Sequence, residues 1–140
     1  MHALLLAMAL LLPADTIRIA IDVEGPPEIA QTLADELRKG LATEKDVEVV
    51  PPVDARRVVR LIVTPSNGMY AVSLLVTERY DRPTLMMLGI EDDDLAGRMM
   101  MLQIVNEHQG FAGRDLADIG RQVVVSLDDG VFKTLRRLRQ

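Results

Sequence analysis

The chain has 140 residues, a length typical of one domain, and 49% of them are hydrophobic, which argues against intrinsic disorder. A formal net charge of -5 makes nucleic acid an unfavoured partner, and 3% aromatic residues leave few platforms for stacking bases or sugars. The absence of cysteine excludes disulfides, zinc–thiolate sites, a cysteine nucleophile and a lipid-anchored N-terminal cysteine.

The N-terminus carries an uninterrupted apolar run from Ala3 to Leu12, followed by Pro13 and Ala14. The run is too short to span a bilayer, which needs about 20 apolar residues. A short apolar run that ends at a small residue predicts a cleavable signal peptide at 1–14, ahead of one domain at 15–140. The predicted localisation is therefore periplasmic or secreted, with no membrane span after leader removal. The alternative is a buried N-terminal strand or helix.

The first half of the domain alternates between strand and helix patterns. Residues 16–24 alternate apolar and polar side chains, which predicts a half-buried strand that ends at Gly25-Pro26-Pro27. Apolar residues then recur every four positions from Ile29 to Leu41, which predicts an amphipathic helix that ends near Gly40. A short strand follows at 47–50.

The middle of the chain predicts an antiparallel meander. Strands are expected at 58–64 and 69–78, joined by Asn67-Gly68, which is the strongest local hairpin signal. A turn at 80–83 leads to a third strand at 84–90.

The last third of the chain is less uniform. Residues 91–109 fit a turn followed by a strand, which we favour, or a helix capped by the aspartates at 92–94. A loop is expected at 110–113. Asp115 then begins a long amphipathic helix, with a kink at Gly130. The alternative is a strand at 123–125 followed by a hairpin turn at 128–130, which the longer helical period outweighs. The order β-α-β-β-β-β(β)-α predicts an α+β fold with two helices on one face of a mostly antiparallel sheet.

This arrangement resembles the N-terminal domain of TolB and the related domains of the penicillin-binding-protein activator and curli-secretion lipoproteins. The resemblance lies in the leader and in the segments IRIAIDVEG, LADELRKGL, VEVV, VVRLIVTPSNGMYAVSLLV and DLADIGRQVVVSL. It implies an envelope compartment and recognition of another protein. It transfers no functional residue, because no single motif anchors it.

No catalytic, cofactor-binding or metal-binding residue is predicted. His108 is the only histidine after the leader, and the sequence has no phosphate-binding loop or dinucleotide fingerprint. The acidic run at 91–94 and the pair Asp128-Asp129 are expected to be solvated. A small hydrolase or metal-dependent enzyme using the turn at 91–94 is the alternative.

Two further groups have a structural and a functional interpretation. Arg56, Arg57 and Arg60 form a small basic cluster, either a solvated strand edge or an interaction surface for an anionic polymer or headgroup. The methionines at 86–87 and 99–101 are expected in the core, with an adaptable recognition surface as the alternative.

The function predicted from the sequence is an exported, non-enzymatic binding or adaptor domain without a cofactor. It would recognise another cell-envelope protein through a sheet edge or an exposed helix face. The alternatives are the enzyme described above and a structural subunit of an envelope assembly, in which the chain would form a homo-oligomer.

Overall fold

The computed structural model describes residues 16–138, so the predicted signal peptide at 1–14 lies outside the described residues. The chain forms five strands: β1 (Ile17–Glu24), β2 (Val47–Val49), β3 (Arg57–Ser66), β4 (Met69–Glu78) and β5 (Ile104–Gly113). The α-helices are α1 (Pro27–Leu41), α2 (Arg82–Met87), α3 (Asp93–Met100), α4 (Leu116–Leu127) and α5 (Lys133–Arg137). A 3₁₀ turn spans Pro52–Asp54, and a π-helical segment, Asp128–Phe132, joins α4 to α5.

The strands form one mixed sheet in the order β2-β1-β3-β4-β5. β1 is parallel to β2 and to β3, whereas β3 and β4, and β4 and β5, are antiparallel. Parallel neighbours need a crossover connection, and α1 supplies one between β1 and β2. The α+β class is confirmed, but the sheet contains two parallel pairs in addition to the predicted antiparallel ones.

The β3–β4 hairpin follows the sequence prediction closely. Its turn places Asn67 at φ 49° and Gly68 at φ 72°, as a turn with two left-handed central residues requires. This turn sets the register that pairs Ser66 with Met69 and continues along ten residue pairs. One face of both strands is therefore apolar and buried.

A single core cluster joins that sheet face to the helices. It contains alternate residues of β1, β3 and β4, and it contains Leu33, Leu37 and Leu41 from α1. The helix α4 and the π-helical segment contribute to the same cluster. α1 and α4 also approach each other closely, since a Cβ added to Gly40 would lie 2.7 Å from Val124 Cγ2.

The segment between β4 and β5 differs from its prediction. The strand expected at 84–90 is wrong, because this segment contains the helix α2. The favoured turn and strand at 91–109 is also wrong in its first half, where α3 forms with Asp92 as its N-cap. Residues 110–113, expected as a loop, belong to β5.

The C-terminal helix begins as predicted. The Ala117 backbone N–H donates to Asp115 Oδ1 at 2.9 Å, which satisfies one of the free donors of the first turn. The helix then continues through the π-helical segment, which contains Gly130, the site of the predicted kink. Within residues 16–138 no helix is both long enough and apolar enough to cross a bilayer.

Candidate interaction surfaces

The three arginines singled out from the sequence are paired with carboxylates. Arg56 Nε lies 2.6 Å and Arg57 NH2 lies 3.1 Å from Glu78 Oε1. Arg60 Nε lies 2.8 Å from Asp22 Oδ2 on the neighbouring strand. Arg57 and Arg60 are three residues apart on β3, so their side chains point to opposite faces of the sheet.

The structure therefore brings Arg56 and Arg57 together and separates Arg60 from them. The role of these arginines as an interaction surface stays a prediction. Each of these arginines is paired with a neighbouring carboxylate, which neutralises much of its positive charge.

The acidic run at 91–94 caps a helix and forms ion pairs. The Leu95 backbone N–H donates to Asp92 Oδ1 at 2.7 Å, which caps α3. Asp93 pairs with Arg82 of α2, and Asp94 lies 3.9 Å from Arg98 one turn along the helix. The side chains of Asp93 and Asp94 are more than nine-tenths exposed, so water solvates both carboxylates.

α2 is capped in the same way as α3. The Thr84 backbone N–H donates to Asp81 Oδ1 at 2.8 Å. Hydrogen bonds from Thr84, through its side chain first and then its backbone, hold the pKa of the Asp81 carboxyl below its ordinary value. Both caps stabilise short helices, which have too few turns to be stable on their own.

The methionines of α2 and α3 are mostly on the surface. Met87 and Met101 are each 82% exposed, and Met86 is 58% exposed. Only Leu85 and Ala96 of the helix pair are fully buried. The expectation that these methionines fill the core is wrong, except that Met99 is half-buried.

These exposed side chains are concentrated in one part of the chain. Of the 14 exposed large hydrophobic residues among the described positions, eight lie within 20 residues. We call them the methionine surface: Met86, Met87, Leu88, Leu95, Met100, Met101, Leu102 and Val105. Exposed apolar side chains scattered singly are ordinary, whereas contiguous exposed apolar patches are typical of interaction sites.

Charged residues beside the methionine surface are mainly acidic. Between 82 and 102 the chain has four carboxylates, at 91–94, against two guanidinium groups, Arg82 and Arg98. Both arginines pair with members of the acidic run. The segment 82–102 therefore carries two more carboxylates than guanidinium groups.

A groove lies between β5 and α4. It has a volume of about 590 Å³. Its strand wall consists of Glu107, Gln109 and Phe111, which pair in register with the core-facing residues of β4. Its helix wall includes Val125, which is 60% exposed, and Ser126, which donates a hydrogen bond to Gln109. Polar side chains thus replace core residues on the last strand.

A carboxylate cluster around Arg136 was not predicted from the sequence. Arg136 donates to Asp46 at 2.6 and 2.8 Å, to Asp128 at 2.6 Å and to Glu44 at 3.0 Å. Its guanidinium carbon also lies 5.9 Å from the centre of the Phe132 ring. The hydrogen bonds, above all that with Asp46, raise the pKa of Arg136 above its ordinary value.

The Arg136 cluster is a structural clamp, because every carboxylate in it binds the same cation. It attaches the C-terminal helix to the loop before β2. Within residues 16–138, no group of three or more histidine, aspartate or glutamate side chains is arranged to hold a metal ion. The single histidine of this region, His108, is exposed on β5.

Comparison with known proteins gives no relative: no protein-family model, no curated protein and no solved structure matches the chain.

Proposed function

We propose that this protein is an exported, non-enzymatic binding or adaptor domain that recognises another protein of the cell envelope. The observation that carries the proposal is the methionine surface, which leaves eight large apolar side chains in solvent. Leaving such a surface uncovered favours association, and methionine adapts to the shape of a partner at low cost.

The proposed occupant is an amphipathic helix of the partner that carries basic residues beside its apolar face. Flexible methionine side chains accommodate the apolar face of such a helix. The acidic run at 91–94 gives the surroundings the complementary charge. The same charge disfavours an anionic lipid surface, which would be repelled.

Photocrosslinking in the native host tests the proposal. A photoreactive phenylalanine analogue replaces Met87 or Met101 in the tagged full-length chain, and the adducts are identified by mass spectrometry. Val53 supplies a matched control, since it is an apolar side chain that is 89% exposed and lies outside the methionine surface. The mature N-terminus is sequenced in the same samples.

We expect positions 87 and 101 to form an adduct with one envelope protein, position 53 to form none, and the mature chain to begin at Asp15. Adducts at position 53 as abundant as those at 87 would contradict a specific surface. An intact Met1 in the cytoplasm would contradict export. Adducts formed only with a second copy of the chain would favour the structural-subunit alternative.

A further inference from the structure

The edge strand β5 provides a second surface with different chemistry. It is the last strand of the sheet, and among the described residues no strand pairs with its outer side. None of its described side chains is buried. A ten-residue edge strand presents a row of backbone donors and acceptors that an extended peptide can pair with.

Glu107 sets the charge of this edge. Its side chain lies on the wall of the groove, on the same sheet face as the core residues of β4. Arg121, the cation that lines the groove, pairs with Asp118. Within residues 16–138 the Glu107 carboxylate has no ion-pair partner.

Gly130, in the π-helical segment, leaves room for this carboxylate. A Cβ added to Gly130 would lie only 3.0 Å from Glu107 Oε2. The glycine therefore lets the helix pass close to the carboxylate. π-helical turns inside α-helices frequently occur at functional sites.

We propose that β5 binds an extended peptide as an added strand and that Glu107 receives a lysine or arginine side chain of this peptide in the groove. Backbone hydrogen bonds along β5 supply affinity, and the basic side chain supplies specificity. A second copy of this chain fits poorly, because pairing β5 with β5 would bring two unpaired glutamates to the same interface.

The proposal goes beyond the methionine surface and can be tested on the purified chain. The probes are fluorescein-labelled eight-residue peptides of alternating threonine and valine with lysine, glutamine or glutamate at one central threonine position. An otherwise identical lysine peptide, N-methylated on alternate amides, cannot pair along the strand. Binding is followed by fluorescence anisotropy, and the site is located from amide NMR shifts.

We expect the lysine peptide to bind about tenfold more tightly than the glutamine peptide, as loss of one interfacial charge pair predicts. Its amide shifts should fall in β5. N-methylation should abolish binding, and Glu107→Gln should make the lysine and glutamine peptides equivalent. Glu91→Gln, which removes an exposed charge outside the groove, should keep the lysine preference.

Equal binding of the three peptides, or an unchanged lysine preference in Glu107→Gln, would overturn the proposal. Sedimentation of the same variant addresses the competing role of Glu107 as a charge that protects the edge from self-pairing. Dimerisation of Glu107→Gln without any peptide binding to the wild-type chain would establish that role instead. None of these outcomes depends on export or on the methionine surface.

Discussion

Arg136 ties the C-terminal helix to the loop before β2. It binds Asp46 and Glu44, which precede β2, and Asp128, which lies eight residues before it. Its guanidinium is about one-third exposed, so solvent weakens each pair without removing it. The pKa of Arg136 is raised in the folded state. The stabilisation that its positive charge gives the fold is therefore complete below the ordinary pKa of arginine and is lost only at still higher pH.

We expect Arg136→Ala to lower the free energy of unfolding by about 1–2 kcal/mol, since it leaves three carboxylates facing one another. Urea denaturation at low and high salt measures this, and salt should reduce the difference. Arg137→Ala removes the adjacent, exposed arginine and should cost less than about 0.5 kcal/mol. Equal effects of the two variants would contradict the clamp.

The carboxyl group of Asp81 makes the stability of α2 depend on pH in the acid range. Its folded pKa is lowered, so its contribution is present above the ordinary pKa of about 3.9 and is lost as the pH falls through the folded value. We expect Asp81→Asn to be less sensitive than the wild type to acidification from about pH 5 to 2. Thermal melts across this range measure the effect, and Asp54→Asn, an exposed control, should retain the wild-type profile.

At the scale of elements, α2 carries a buried and an exposed apolar side chain two residues apart. Leu85 is fully buried, whereas Met87 is 82% exposed. We expect Leu85→Ala to cost about 2–5 kcal/mol through cavity formation. Met87→Ala should change the free energy of unfolding by less than about 0.5 kcal/mol. Urea denaturation measures the free energy of unfolding of both variants. A large loss of stability in Met87→Ala would show that this methionine packs in the core.

The sequence predicts β1, α1 and the β3–β4 hairpin well because local signals and burial agree there. The segment at 84–90 fails because a short apolar run fits a buried strand as well as a helix. Asp81 followed by Pro83 was the available signal for a helix start, and methionine and leucine are good helix formers. The three valines at 123–125 show the reverse case, in which the longer helical period correctly outweighed their strand preference.

The candidate sites were less predictable than the elements, because they depend on distant pairings. The sequence favours methionines in the core and predicts the methionine surface only as the alternative. The groove could not be predicted, because the sequence favours a loop at 110–113 and carries no signal that places β5 at a sheet edge. The partners of Arg136 lie up to 92 residues away in the chain, which no local pattern reports.

At the scale of the whole molecule, one core cluster links the sheet to α1 and α4. We expect Leu37→Ala in α1 and Leu74→Ala in β4 each to cost about 2–5 kcal/mol. Each variant should also unfold in a single transition. Far-UV circular dichroism follows the backbone. Tyrosine fluorescence in this chain without tryptophan follows Tyr70 and Tyr80, of which Tyr70 packs against the cluster. Separate midpoints for the two signals would contradict one cooperative unit.

The π-helical segment also sets the direction in which the side chains of α5 face. A π turn closes one residue later than an α turn, so it acts as a one-residue insertion in the helix. Successive residues of an α-helix are rotated by about 100° and displaced by 1.5 Å. If the same residues continued in α-helical winding, Arg136 would be rotated by about 100° and would face away from Glu44 and Asp46. The clamp would then be lost although every charge that forms it remained in the chain.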